Sequence, residues 1–472
     1  MTTRSSCTSI LIGKKASADG SVIIGRNEDS KASWPKQMVV RPARTETTTF
    51  VSKETGVTIP LPGDALSYTA TPEWTDQYGL FEEDGINSAG VAMSATESAY
   101  ANARVLGFDS FTDQGTNEEA MVTITLPYAH TAREGVQRLG DLIAQYGTGE
   151  ANGILFADHD EAWYMEVVTG HRWAAQRIPD DSFAVVANQL SIQEVDFDST
   201  DFMASADLRD FAAANHLWQA GQPFNLRHIF GTNDQSDRVY NYPRVWYGHR
   251  MLAPVASQGE TPESSTMPFI VRAEQPLQVE SAMDFLSSHY QGTPFDPAAR
   301  LPHGVDGHRY RPIALAKTQE SHVLQLRQDL PAEIANIHWL AMGVPAESQY
   351  VPFFAGTTTT PANYQAGALP ASMDSAYWQY KLAGVLVDAH FNHFQAKLTG
   401  VQGAVHAQHV ALIAKTDAQA AGKSAAELAA LATTATAEAA RLSDASWAKL
   451  TMDLLASSTD FSPLNFNTDP NL

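Results

Sequence analysis

The chain has 472 residues, of which 44% are hydrophobic and 18% charged, a globular composition with ample apolar material for a core. Lys and Arg total 31 against 53 Asp and Glu, for a formal net charge of −22. A surface this acidic repels polyphosphate, which excludes nucleic acid as a partner.

No window approaches the apolar length of a membrane span. The N-terminus does not read as a signal peptide, because "SILIG" is too short for an h-region and its lysines follow it. A cytoplasmic protein is expected. The single cysteine, Cys7, cannot form an internal disulfide, which fits a reducing compartment.

"CTSILIG" places β-branched residues at Thr8, Ile10 and Ile12. After an Asp19-Gly20 turn, "SVIIGRNEDS" resumes a strand. The two read as a β-hairpin with Cys7 at its outer end. "QMVVRP" is a further strand, and the Thr- and Pro-rich stretch from Arg44 to Trp74 reads as a surface excursion. "GINSAGVAMSATES" gives a glycine turn and a strand of small residues. In "TAREGVQRLGDLIAQYG", Val136, Leu139, Leu142 and Ile143 recur at helical spacing, and Gly147 stands at the C-cap. "NGILFADHDEAWYMEVV", "HRWAAQRIP" and "SFAVVANQLSI" supply four more strands. From His390 onward the sequence is rich in Ala and Leu and predicts two or more helices, with Gly400, Gly403 and Gly422 as interruptions.

The sequence has no H-E-x-x-H, no C-x-x-C, no Walker A loop, no G-x-G-x-x-G and no G-x-S-x-G. His303 and His308 in "PHGVDGH" read as loop residues, and neither a metal nor an organic cofactor is expected. Cys7 remains. A lone cysteine is most often a small buried hydrophobe, but this one opens a strand, and the hairpin returns Arg26 and Asp29 toward it. If the Ser6–Cys7 bond were cut, Cys7 would carry a thiol and a free α-amine. The amine, with an ordinary pKa of about 7.7–8.0, is a base matched to neutral pH. Arg26 would favour the thiolate, and Asp29 would orient the amine.

The ordered set of segments resembles the cysteine dipeptidase family of N-terminal nucleophile (Ntn) hydrolases, relatives of secernins and, more distantly, of penicillin V acylase and bile salt hydrolase. The set comprises the N-terminal hairpin with "R-x-E-D", "EDGINSAGVAMSATES", "WYMEVVTGHRW", "VANQ", "YNYPRVW", "TQESHVLQLR" and "YVPFFAG". The resemblance implies an α+β fold, a four-layer αββα sandwich with a C-terminal helical region. It divides the chain into a propeptide at 1–6, the sandwich at 7–370 and a mainly helical region at 371–472.

The resemblance also implies roles. Cys7 matches the nucleophile, and Arg26 and Asp29 the pair that sets its thiol and amine. Asn188 and Asn87 match oxyanion-side asparagines. Arg244 matches a supporting arginine, with Arg238 as the alternative. The implied partner is a dipeptide substrate, with no nucleic acid and no membrane; homo-oligomerisation is left open. Two rival readings are the same chemistry on another linear amide, such as an acylated amino acid or a bile-salt-like conjugate, and a non-enzymatic, secernin-like interaction protein. Ordinary structural uses compete at each position: a turn for Asn87, a surface ion pair for Arg26 and Asp29, stacking for Arg244. Glu166 with His171, and His322, read as structural.

Overall fold

The computed structural model describes residues 6–299, 305–461 and 464. The expected propeptide lies outside them except for Ser6, whose backbone opens the first strand. That strand, β1 (Ser6–Ile12), pairs antiparallel with β2 (Val22–Asp29), and Cys7 stands opposite Glu28. The Thr- and Pro-rich excursion lies within two small antiparallel pairs: β3 (Val39–Arg41) with β6 (Tyr68–Ala70), and β4 (Thr48–Val51) with β5 (Thr58–Leu61).

The remaining strands are β7 (Asp84–Ile86), β8 (Ala92–Ser98), β9 (Asn152–Ala157), β10 (Ala162–Val167), β11 (Trp173–Ile178), β12 (Ser182–Val186), β13 (Phe202–Ala204), β14 (Ile270–Arg272), β15 (Thr318–Leu326), β16 (Asn336–Met342) and β17 (Val351–Phe354). They build a seven-stranded sheet in the order β14-β12-β1-β2-β15-β16-β17 and a six-stranded sheet in the order β13-β11-β10-β9-β8-β7.

Strand alternation makes the layers. Leu11, Val22, Ile24 and Leu324 point from the larger sheet toward Leu155 and Tyr164 of the smaller one, forming the core between the sheets. Their neighbours Ile10, Ile12, Ile23 and Val323 point the other way, under Trp246 and Phe285 of the helices Tyr242–Leu252 and Val279–Leu286. On the far side of the smaller sheet, Ile154, Phe156, Trp163 and Met165 meet Val136, Leu139 and Ile143 of the helix Ala132–Tyr146. The architecture is therefore the αββα sandwich, with period-2 patterning facing both ways because both faces of each sheet are covered.

Helices Ala376–Asp388, Phe391–Ala418 and Ala425–Ser458 pack on β16 and β17, where Tyr377, Tyr380 and Trp447 meet Leu340, Val351 and Phe353. Gly400 and Gly403 do not interrupt them. Both lie inside the helix Phe391–Ala418, whose length and packing outweigh about 1 kcal/mol of lost propensity per glycine. Only Gly422, at φ +75°, marks a break. The next helix then starts with a Ser424–Glu427 capping box.

Gly140 lets the helix Ala132–Tyr146 approach the smaller sheet, because a Cβ there would lie 2.2 Å from the Trp173 ring. Alanine would gain about 1 kcal/mol of helix propensity but overpack the contact by about 1–3 kcal/mol. Gly140→Ala is expected to lower the thermal midpoint by scanning calorimetry, opposite in sign to the propensity effect alone.

Candidate active site

Cys7 is 1% exposed, yet polar groups surround its sulfur. Alternation along β1 and β2 puts Cys7, Ser9, Arg26 and Glu28 on the face toward the smaller sheet. Arg26 Nη1 donates to Cys7 Sγ at 3.1 Å, and the thiol lies 3.3 Å from Glu28 Oε2. The guanidinium is fully buried and spends all its N–H groups: Nε on Ser94 Oγ at 2.9 Å, Nη1 also on Glu28 Oε2 at 2.5 Å and Thr96 O at 3.0 Å, and Nη2 on Glu83 Oε2 at 2.8 Å and Ala95 O at 3.0 Å. Glu83 also receives Lys36 Nζ at 2.5 Å.

Burial pushes the Cys7 thiol well above its ordinary pKa, Glu28 adds to this, and Arg26 opposes it. Burial, then Glu83, lifts the Glu28 carboxyl to about 8. In this arrangement the sulfur is a protonated thiol at neutral pH, with Arg26 in place to receive a thiolate.

Arg26 reaches the sulfur, whereas Asp29 does not face it. The three-residue offset places them on opposite faces of β2. Asp29 lies opposite Ser6 in the ladder and accepts bonds from Arg311 and Thr318. Arg311 also reaches the Thr8 hydroxyl at 3.1 Å.

Asn188 and Arg244 come to the nucleophile together. Ser9 pairs with Val186 on β12, so Asn188, just past that strand, comes abreast of Cys7. Arg244 donates to the Cys7 carbonyl, to Thr8 Oγ1 at 2.9 Å, to Asn188 Oδ1 and Asn241 Oδ1 at 2.8 Å each, and to Tyr240 O at 2.9 Å. Burial, with Arg311 adding to it, lowers its pKa to about 10. Arg238, the alternative, is exposed. The Asn188 amide donates to Ser98 O at 2.8 Å.

Asn87 is not brought to this group. Its amide donates to Leu126 O and Ala129 O at 2.8 Å each and accepts from Ala89 N and Val91 N at 3.0 Å each. It is the turn residue between β7 and β8. Glu166 and His171 do not pair with each other either: Glu166 accepts the backbone N–H of Ser191, and His171 pairs with Asp109 at 3.1 Å.

Sequence reasoning missed Glu28, although it lies inside "RNED" and alternation alone puts it beside Arg26. Ser94, Glu97, Arg311 and Thr318 carry no local signal, since only the folded sheets bring them in. His322 proves to be more than a buried core histidine. Its Nε2 lies 2.8 Å from Ser94 Oγ, the atom that also receives Arg26 Nε, and its Nδ1 lies 2.9 Å from Asp84 Oδ2 and 3.1 Å from Glu320 Oε1. Burial alone would lower its pKa, but Asp84 and Glu320 outweigh burial and raise it to about 9.

Among the described residues, two groups have metal-ligand-type atoms within 4.8 Å of one another: Asp84, Glu320 and His322, and Glu28, Glu83 and Glu118. Each already has a cationic partner, His322 in the first and Arg26 and Lys36 beside the second. A surface cavity of about 1200 Å³ is lined by Asn363, Asp444 and Trp447 of the C-terminal region and not by Cys7.

A thiol at the head of a hairpin, held by a buried guanidinium between two helix-covered sheets, puts the chain in the class of αββα hydrolases built around a cysteine. The chain belongs to peptidase family C69, whose family model matches residues 6–403. It is 41% identical to a "Probable dipeptidase" of Latilactobacillus sakei over 99% of this chain and 98% of that one. It is 39% identical to a "Dipeptidase" of Bifidobacterium longum, covering 88% of this chain and 83% of that one. Among solved structures, a mutant conjugated bile acid hydrolase from Clostridium perfringens aligns distantly, with a TM-score of 0.33 and 12% identity over 71% of this chain and 89% of that one.

His322 binds its proton more tightly folded than unfolded, so its stabilisation is full below the unfolded value of about 6.5. It is lost as pH rises through about 9. Unfolding free energy from urea titrations should therefore fall across that window. His322→Gln should flatten the fall and cost about 3–5 kcal/mol at neutral pH, because Asp84 and Glu320 lose their buried partner.

Proposed function

We propose that the chain is a cysteine-type dipeptidase whose nucleophile is Cys7, exposed as an N-terminal residue by removal of residues 1–6. The observation that carries this reading is the bond from the saturated Arg26 guanidinium to Cys7 Sγ, 3.1 Å long. The family and the dipeptidase names of relatives near 40% identity support the substrate class.

In the processed chain the Cys7 α-amine takes the thiol proton, and Arg26 balances the thiolate. Asp29, across the ladder from Ser6, holds the amine. The thiolate attacks the scissile carbonyl, and the second N–H of the Asn188 amide donates to the developing oxyanion. The C–N bond breaks as the α-ammonium protonates the leaving amine, leaving a thioester. The neutral amine then takes a proton from water, and the resulting hydroxide releases the acid and restores the thiol. Arg244 binds the Cys7 carbonyl and the Asn188 side-chain oxygen at once, so it fixes the oxyanion donor relative to the nucleophile. A cytoplasmic setting is part of this proposal.

Intact-mass measurement is expected to show a chain short by Met1–Ser6 that hydrolyses dipeptides, and Cys7→Ala is expected to stay full-length and inactive. A full-length chain whose Cys7→Ala variant still cleaves dipeptides would overturn the assignment. Asn188→Ala should lower kcat about 10²–10³-fold with a smaller change in KM, the usual loss for one oxyanion donor, measured by steady-state dipeptide hydrolysis.

A further inference from the structure

Glu97 is fully buried near the nucleophile, and the mechanism above does not use it. It lies on β8, and its Oε2 accepts the Ser9 hydroxyl at 2.5 Å. Its other oxygen, Oε1, has no hydrogen-bond partner among the described residues. Three arginines act on Glu97 electrostatically, but none donates to Oε1: every N–H of Arg26 and of Arg244 is committed elsewhere, and the Arg311 Nε makes no hydrogen bond among the described residues.

A second orphan lies on the same side of the sheet. The Tyr164 hydroxyl also lacks a partner. It rests over Gly153, where a Cβ would come within 1.9 Å of it, and Gly153 is the ladder partner of Glu97. Burial raises the Glu97 carboxyl to about 7, with Arg244 and Ser9 opposing. A buried carboxylate oxygen with no donor is expensive to keep unless a ligand supplies one.

Building on the dipeptidase reading, we propose that Glu97, with the Tyr164 hydroxyl beside it, anchors the α-ammonium of the substrate's N-terminal residue. An ammonium brings three donors and no acceptor, and the site offers acceptors that nothing else uses. The spacing fits. Ser9, which holds Glu97, is two residues from Cys7 on the same strand face, or about 7 Å along the strand. A sulfur attacking at about 3–3.5 Å, the bonds from carbonyl to α-nitrogen, and an ammonium–carboxylate bond of about 2.8 Å span that distance. Glu97 thus reads the free amine directly next to the scissile carbonyl. An acylated N-terminus would leave its buried oxygen unpaired.

The test uses processed wild-type enzyme and Glu97→Gln with L-alanyl-L-alanine and N-propionyl-L-alanine, which differ only in the α-ammonium. The wild type should prefer the dipeptide at least about 100-fold in kcat/KM, as expected where a buried polar group is left unpaired by the analogue. In Glu97→Gln that preference should shrink at least about 10-fold. Equal hydrolysis of both substrates by the wild type overturns the proposal without recourse to any variant. So does a Glu97→Gln that slows both in parallel, the mark of a structural role. A wild type that cleaves neither removes the dipeptidase reading and this inference with it.

Discussion

The Arg26 guanidinium is the constraint on which the site depends. It lies between the two sheets with no exposure, beside a core of aliphatic and aromatic side chains such as Leu11, Ile24, Leu155 and Phe269. An ion there survives only if its hydrogen bonds are complete and its charge is balanced. Backbone carbonyls of β8, Ser94, Glu28 and Glu83 meet those demands, and Lys36 in turn balances Glu83. The consequence is a polar island in an apolar core, and Cys7 occupies its edge. A sulfur buried among aliphatic side chains would be inert. This one is equally buried but faces a cation that cannot move without leaving several acceptors unpaired.

The island reaches further than the contacts of Cys7. His322 and Arg26 share the Ser94 hydroxyl, and His322 is fixed from behind by Asp84 and Glu320. Held protonated at neutral pH, His322 donates to Ser94 and has no lone pair to offer as a base. The fold therefore places a histidine two bonds from the nucleophile's partner and removes it from proton transfer. Among nearby groups, Glu28 faces the thiol directly, but a thiolate and a Glu28 carboxylate would compete for the same Nη1. Like charges at that distance disfavour each other. A base belonging to Cys7 itself avoids this conflict.

The legibility of the site in the sequence follows from where its parts lie. The hairpin was readable because β-branched residues flank an Asp-Gly turn within one short stretch, and it fixes Cys7 and Arg26 together. The helix over Ala132–Tyr146 was readable from its spacing and its Gly147 cap. Asn188 was readable as an amide at the end of an apolar strand, where burial demands a partner. Asn87 misled because "GIN" fits both a site and a turn, and the backbone groups of Leu126 and Ala129 claim its amide. Gly400 and Gly403 misled because a long helix packed along its length tolerates isolated glycines. Arg311, Ser94 and Glu97 could not be found by pattern: each comes from another part of the chain, and only sheet register brings it in.

The two faces of β1 divide the labour. Toward the smaller sheet, the Cys7 side chain meets Arg26 and Glu28, and Ser9 holds Glu97. Toward the helices, Thr8 meets Arg244 and Arg311, and Arg311 binds Asp29 opposite Ser6. The strand itself is the partition, since successive residues point to opposite faces. Sulfur chemistry is thereby separated from the groups that hold the backbone of the same residue. Moving Cys7 by one position along β1 would invert both sets at once. In the proposed mechanism that separation is what allows one residue to act as nucleophile and base: its sulfur is governed from one layer and its nitrogen from the other.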